Sequence, residues 1–99
     1  MNKAELIVLL AERTGIGPRE ARLAVDTLFE TEGETGLIAA ELARGGKVTI
    51  SGFGTFEARV RKSRQGRNPR TGETISIPSS RAPAFKPGKP LKDRLRSSG

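Results

Sequence analysis

From Arg59 to Glu73 the chain reads RVRKSRQGRNPRTGE, and no core can accept this stretch. It holds six Arg or Lys and a single acid, with glycines at 66 and 72, a proline at 69, and almost nothing apolar beyond Val60. Burying so many unpaired cations costs far more than hydrophobic packing returns. The segment must therefore stand outside whatever the other residues build. With 99 residues in all, the chain supplies one small domain at most, and a chain this short often shares its stability with a partner chain.

The composition narrows the function. There is no Cys, His, Trp or Tyr. Disulfides, thiolate metal sites and the usual zinc sites are excluded. So are the Cys nucleophile and the Ser–His pair. No cofactor and no small-molecule substrate are expected. No apolar run approaches the roughly 20 residues that span a bilayer. The opening MNKAELIVLLAERTG reads as an amphipathic helix rather than a signal peptide, so the expected location is cytoplasmic, with no membrane partner.

The net charge of +7 is divided unevenly. Residues 1–46 carry five Lys or Arg against eight acids, a net of −3. Residues 47–99 carry thirteen against three, a net of +10. Charge placed only for solubility is normally mixed in sign. A basic half of this density points to a polyanion.

Asn2 with Glu5 is a capping box that opens a helix, Leu6, Ile7 and Leu10 give it an apolar face, and Gly15 ends it. Pro18 begins a second helix, and Ala21, Ala24, Val25, Leu28 and Phe29 follow the helical template. The pattern then fails at Glu30–Thr35, ETEGET. Leu37 would lie 180° from Leu28 on a continuous helix. Removing six residues restores the stripe, so Glu30–Thr35 reads as an insertion that loops out or breaks the helix. The alternative is one long distorted helix covered on both faces in a dimer. Gly45-Gly46 is a turn and KVTI (47–50) a short strand. Phe56, Ala58 and Val60 then alternate with Glu57, Arg59 and Arg61. TISIP (74–78) alternates again, which gives a hairpin whose base packs and whose tip does not. Ala82 to Phe85 is a last strand segment, with Pro83 favouring an edge. Gly88 to Arg96 is a short basic helix, and Ser97-Ser98-Gly99 a frayed end.

An isolated two-stranded extension is marginal in water. Its cations lie along both strands, so a groove of phosphates neutralises many at once, with counterion release making binding steeply salt-dependent. A ribbon of two strands fits a DNA groove. Pro69 at the apex has the compact apolar ring of a wedge that unstacks base pairs, while Arg67, Asn68 and Arg70 can bond the acceptors of the minor-groove floor. The plain alternative is that Asn68-Pro69 is ordinary turn chemistry.

GFGTFEARVRKSRQGRNPRTG (52–72), PAFKPGKPLKD (83–93) and MNKAELI together resemble the bacterial histone-like DNA-bending family, HU and integration host factor. The resemblance covers nearly the whole chain. It implies an α+β fold: an N-terminal helical hairpin, a three-stranded antiparallel sheet with a long β-hairpin arm, a short C-terminal helix, and an intertwined dimer with itself or a paralogue. Residues 1–46 would form the helical dimerisation part. Residues 47–99 would form the sheet, an arm over 59–75 and the last helix. By matched position Pro69 would intercalate. Arg59, Arg61, Arg64, Arg67, Asn68 and Thr71 would meet the minor groove and its backbone, and Lys3, Lys86 and Lys89 flanking phosphates. Phe53, Phe56 and Phe85 would be dimer core, and Phe29 on the second helix joins them. Lys62, Arg70 and Arg81 are added to the DNA-binding set on charge and position alone. The implied function is non-enzymatic binding and bending of double-stranded DNA in the nucleoid with little sequence preference. Glu30–Thr35 departs from the family pattern. Three other functions are compatible with the composition: a sequence-preferring bender like integration host factor, an RNA-binding protein, and a nuclease using Glu30, Glu32 and Glu34. The second lacks aromatic residues for stacking bases, and nothing else assembles a site for the third.

Overall fold

The structure is a computed structural model that describes residues 1–97. The remaining residues of the expected frayed end, Ser98 and Gly99, lie outside the described residues. The chain divides into two compact units, residues 1–44 and 45–99.

The first unit is helical. α1 (Lys3–Thr14) opens where Asn2 Oδ1 accepts the Glu5 backbone N–H at 2.9 Å, and Gly15 closes it in the left-handed region. α2 (Pro18–Phe29) begins on its proline, whose missing N–H costs nothing in the first turn. Ile7, Ala21 and Val25 are buried where the two helices meet, with Leu10 and Ala11 packed beside them. Leu28 and Phe29, from the same apolar stripe, remain exposed.

The helical stripe breaks where the sequence pattern does. α2 stops at Phe29, Glu30 takes an extended conformation, and α3 (Leu37–Ala43) starts after seven intervening residues, 30–36. Gly36, just before α3, is buried against the Glu30 backbone, where a Cβ would overlap the Glu30 carbonyl. The loop thus closes on itself through a residue without a side chain.

The second unit is built on a three-stranded antiparallel sheet, β1 (Val48–Ile50), β2 (Gly54–Arg61) and β5 (Ser80–Pro87), in the order β1-β2-β5. β5 is longer than the segment expected from sequence. Its place at the edge explains how it contains Pro83, which has no ladder N–H to donate. β3 (Arg64–Arg67) and β4 (Thr74–Ile77) form a separate two-stranded ladder beyond it. The β2–β5 ladder ends at Arg61 opposite Ser80, and the β3–β4 ladder begins at Arg64 opposite Ile77. Lys62-Ser63 on one side and Pro78-Ser79 on the other are unpaired between them. α4 (Lys89–Ser97) follows β5 directly, and Gly88 N–H donates to the Phe53 carbonyl at 2.8 Å.

Candidate nucleic-acid interface

The two faces of the sheet differ in chemistry because β2 alternates. Phe56 lies opposite Phe85 across the β2–β5 ladder, with ring centroids 4.9 Å apart, and Phe53 reaches the same ring at 5.6 Å. This aromatic face is only partly covered: Phe53 is 47% and Phe85 39% exposed.

The opposite face carries Thr55, Glu57 and Arg59. Sequence alternation groups Glu57 with Arg59 and Arg61 as polar, yet Glu57 is only 7% exposed. Its carboxylate gathers three cations. Lys86 Nζ lies 3.1 Å from Oε1, Lys47 Nζ 3.5 Å from Oε2, and Arg59 Nε 3.9 Å from Oε1. The backbone register explains the gathering. Val48 is paired with Phe56, so Lys47, one residue earlier, comes level with Glu57. Lys86, paired with Thr55, sits diagonally across. The Lys86 hydrogen bond holds the Glu57 carboxyl below its ordinary value of 4.5; the charges of Lys86 and Lys47 add to this against the opposing effect of burial. Glu57 and Lys47 were not among the site residues read from sequence. The available signal was one acid in a run of basic strand residues.

Beyond the sheet the arm has no core. On the β3–β4 ladder, Arg64 and Gly66 share a face with Ile77 and Ile75, while Gln65 and Arg67 share the other with Ser76 and Thr74. Arg64 and Arg67 thus project from opposite faces, and both are exposed. At the tip, Asn68 N–H donates to the Glu73 carbonyl at 2.9 Å and Gly72 N–H to the Asn68 carbonyl at 2.8 Å. Asn68 Oδ1 accepts the Arg70 N–H at 2.9 Å. Gly72 has φ of 72°, a turn position that disfavours any side chain. Asn68 is therefore half-buried in the turn's own hydrogen bonds, and Pro69, Arg70 and Thr71 are exposed at the apex.

The other residues singled out from sequence are distributed. Arg59 and Arg61 belong to β2 itself, Lys62 falls in the gap between the ladders, and Arg81 lies opposite Val60 on β5. Lys89 begins α4 and is paired with Asp93 at 2.8 Å. In the helical unit Lys3 is paired with Asp26 at 2.6 Å. The structure brings Arg59 and Lys86 together around Glu57, and Arg67 to Thr71 together at the tip.

Comparison with known proteins gives a consistent result. Residues 1–96 match the family model described as "Bacterial DNA-binding protein". The chain is 49% identical over 96 residues to DNA-binding protein HU of Geobacillus stearothermophilus, covering 97% of this chain and all of that one. It is 50% identical over 97 residues to the SPbeta prophage-derived DNA-binding protein HU 2 of Bacillus subtilis, covering 98% and 99%. Among solved structures, an Anabaena HU–DNA cocrystal structure matches with a TM-score of 0.78 and 40% identity, covering 96% of this chain and 97% of that one.

Proposed function

Since the chain belongs to the bacterial DNA-binding protein family, in its HU branch, we propose that it is a dimeric architectural protein that binds double-stranded DNA through the minor groove and bends it. The observation that carries this is the arm: a ladder without a core, cations on both faces, and an exposed proline at its apex. Such a ribbon gains from DNA what it lacks alone. Phosphates neutralise Arg59, Arg61, Lys62, Arg64 and Arg67, and the groove covers its apolar atoms. Asn68, Arg70 and Thr71 meet the groove at the tip. Pro69 enters between base pairs, at a cost of about a few kcal/mol per unstacked step, offset by the contacts that the bend allows. Lys3, Arg81, Lys86 and Lys89 bind flanking phosphates.

The dimer follows from what one chain leaves uncovered. Among the described residues, the buried apolar side chains are Ile7, Ala21 and Val25 alone, while Leu23, Leu28, Phe29, Phe53 and Phe85 are exposed. A second copy covers Phe29 and the Phe53–Phe56–Phe85 face. Contacts to backbone and shape, rather than base edges, give little sequence preference; relatives named HU favour this over behaviour like integration host factor. The protein acts by binding, without catalysis, and works at the nucleoid. No helix among the described residues is long and apolar enough to cross a membrane.

The deciding experiment is circularisation of a short duplex by ligase. Wild type promotes circles, and Pro69→Ala loses most of that effect while retaining gel-shift affinity. Equal circularisation by Pro69→Ala would overturn the wedge; failure of wild type to shift duplex DNA would overturn the function.

A further inference from the structure

We propose that Lys47 is a further DNA-binding residue, one of three cations that Glu57 assembles with Arg59 and Lys86 into a single phosphate subsite on the sheet. The inference rests on the DNA-binding reading and extends it to a residue outside the arm, ahead of β1.

Charge balance leads to the subsite. A carboxylate offers about four acceptor sites, enough for three cations at once. Glu57 brings one unit of negative charge to the three of them, so the cluster keeps an excess of two positive charges. Anchor and cations differ in exposure. The Glu57 side chain is 9% exposed, whereas those of Lys47, Arg59 and Lys86 are 66%, 60% and 58% exposed. The anion lies at the root and the cations open outward, the arrangement in which a second anion from solvent can be shared. Without Glu57 the three would repel one another and disperse over their rotamers. Held by it, they lose less freedom when a phosphate arrives. Glu57 acts through its neighbours, as a positioning residue, and touches no DNA itself. Lys47 is placed by backbone register rather than by chance, because the β1–β2 pairing fixes it level with Glu57.

The test is the salt dependence of duplex binding by the full chain, compared between wild type, Lys47→Ala, Lys86→Ala and the control Arg13→Ala, whose side chain lies on α1. Each Lys47 that meets a phosphate contributes about 0.9 to the slope of log K against log salt. Lys47→Ala therefore lowers the slope by that amount per engaged copy and weakens binding roughly five- to tenfold at 0.1 M salt. Arg13→Ala leaves the slope unchanged. A Lys47→Ala slope equal to that of Arg13→Ala, while Lys86→Ala lowers it, overturns the subsite and leaves DNA binding intact. Absence of any salt-dependent binding by wild type overturns both. The positioning role is read from coupling: in a Glu57→Gln background the penalty of Lys47→Ala shrinks to less than half. An undiminished penalty overturns that role. If Glu57→Gln does not fold, Glu57→Asp keeps the charge and withdraws it by one methylene, and the same comparison applies.

Discussion

Glu57 shows how one side chain ties stability to pH. Its carboxyl is held below 4.5 in the folded chain, first by the hydrogen bond from Lys86. A depressed acid binds its proton more tightly in the unfolded chain, so its contribution is fully present above 4.5 and is lost as pH falls through that value to the lower folded one. Melting temperatures from pH 7 to pH 3 should therefore show a gap between wild type and Glu57→Gln that is constant down to about pH 5 and closes below it. A gap independent of pH would mean that Glu57 acts only through packing. At the arm tip Gly72 makes a different case. A side chain at φ of 72° costs about 1–2 kcal/mol, and the arm ladder has only four residues per strand. Gly72→Ala should accelerate amide hydrogen exchange at Gln65 and Gly66 without moving the global melting temperature, since the strain falls on the arm alone.

At the scale of elements, the sequence carried most of the secondary structure through local chemistry. Asn2, Gly15 and Pro18 mark their helix ends because caps and prolines act within a turn. The stop at Phe29 was visible as a break of phase in the apolar stripe. Which apolar residues are buried was less visible: the stripe of α2 names five, and the helical unit buries only Ala21 and Val25 of them, because the rest of the stripe awaits a partner that periodicity does not describe. The Glu57 cluster was hidden for a different reason. Strand alternation assigns a face but not a depth, and its cations come from positions 47 and 86, distant in the chain and adjacent only through the β1–β2–β5 register. The loop between α2 and α3 can be tested directly. Deleting Glu30–Thr35 should join the two helices with their apolar stripe in phase, raising helical circular dichroism and preserving the dimer; loss of folding would mean that the loop is integral. Gly36→Ala, which forces a Cβ onto the Glu30 carbonyl, should instead destabilise the protein in the intact loop context and be tolerated in the deletion.

For the whole molecule, stability and association are expected to be one quantity. A chain with so few buried apolar side chains should melt at a temperature that rises with its concentration, and analytical ultracentrifugation should give twice the mass of 10.6 kDa. Phe85 discriminates between lone and paired chains. At 39% exposed in one chain it would lose modest packing as Ala, whereas covered by a second copy it should cost the roughly 3–5 kcal/mol of a core Phe→Ala change. The two-residue gap in the strand ladder, at Lys62-Ser63 and Pro78-Ser79, has an expected consequence for how such an assembly lets go of DNA. Among the described residues no ladder pair spans the gap, so the arm can bend there without breaking a ladder hydrogen bond. If the arm lies in the groove and the body holds phosphates as proposed, each ribbon should be able to leave the groove before the body does. Release becomes a series of small steps instead of one large one, and a competing duplex can invade at the vacated groove, so the measured off-rate should rise with the concentration of free DNA.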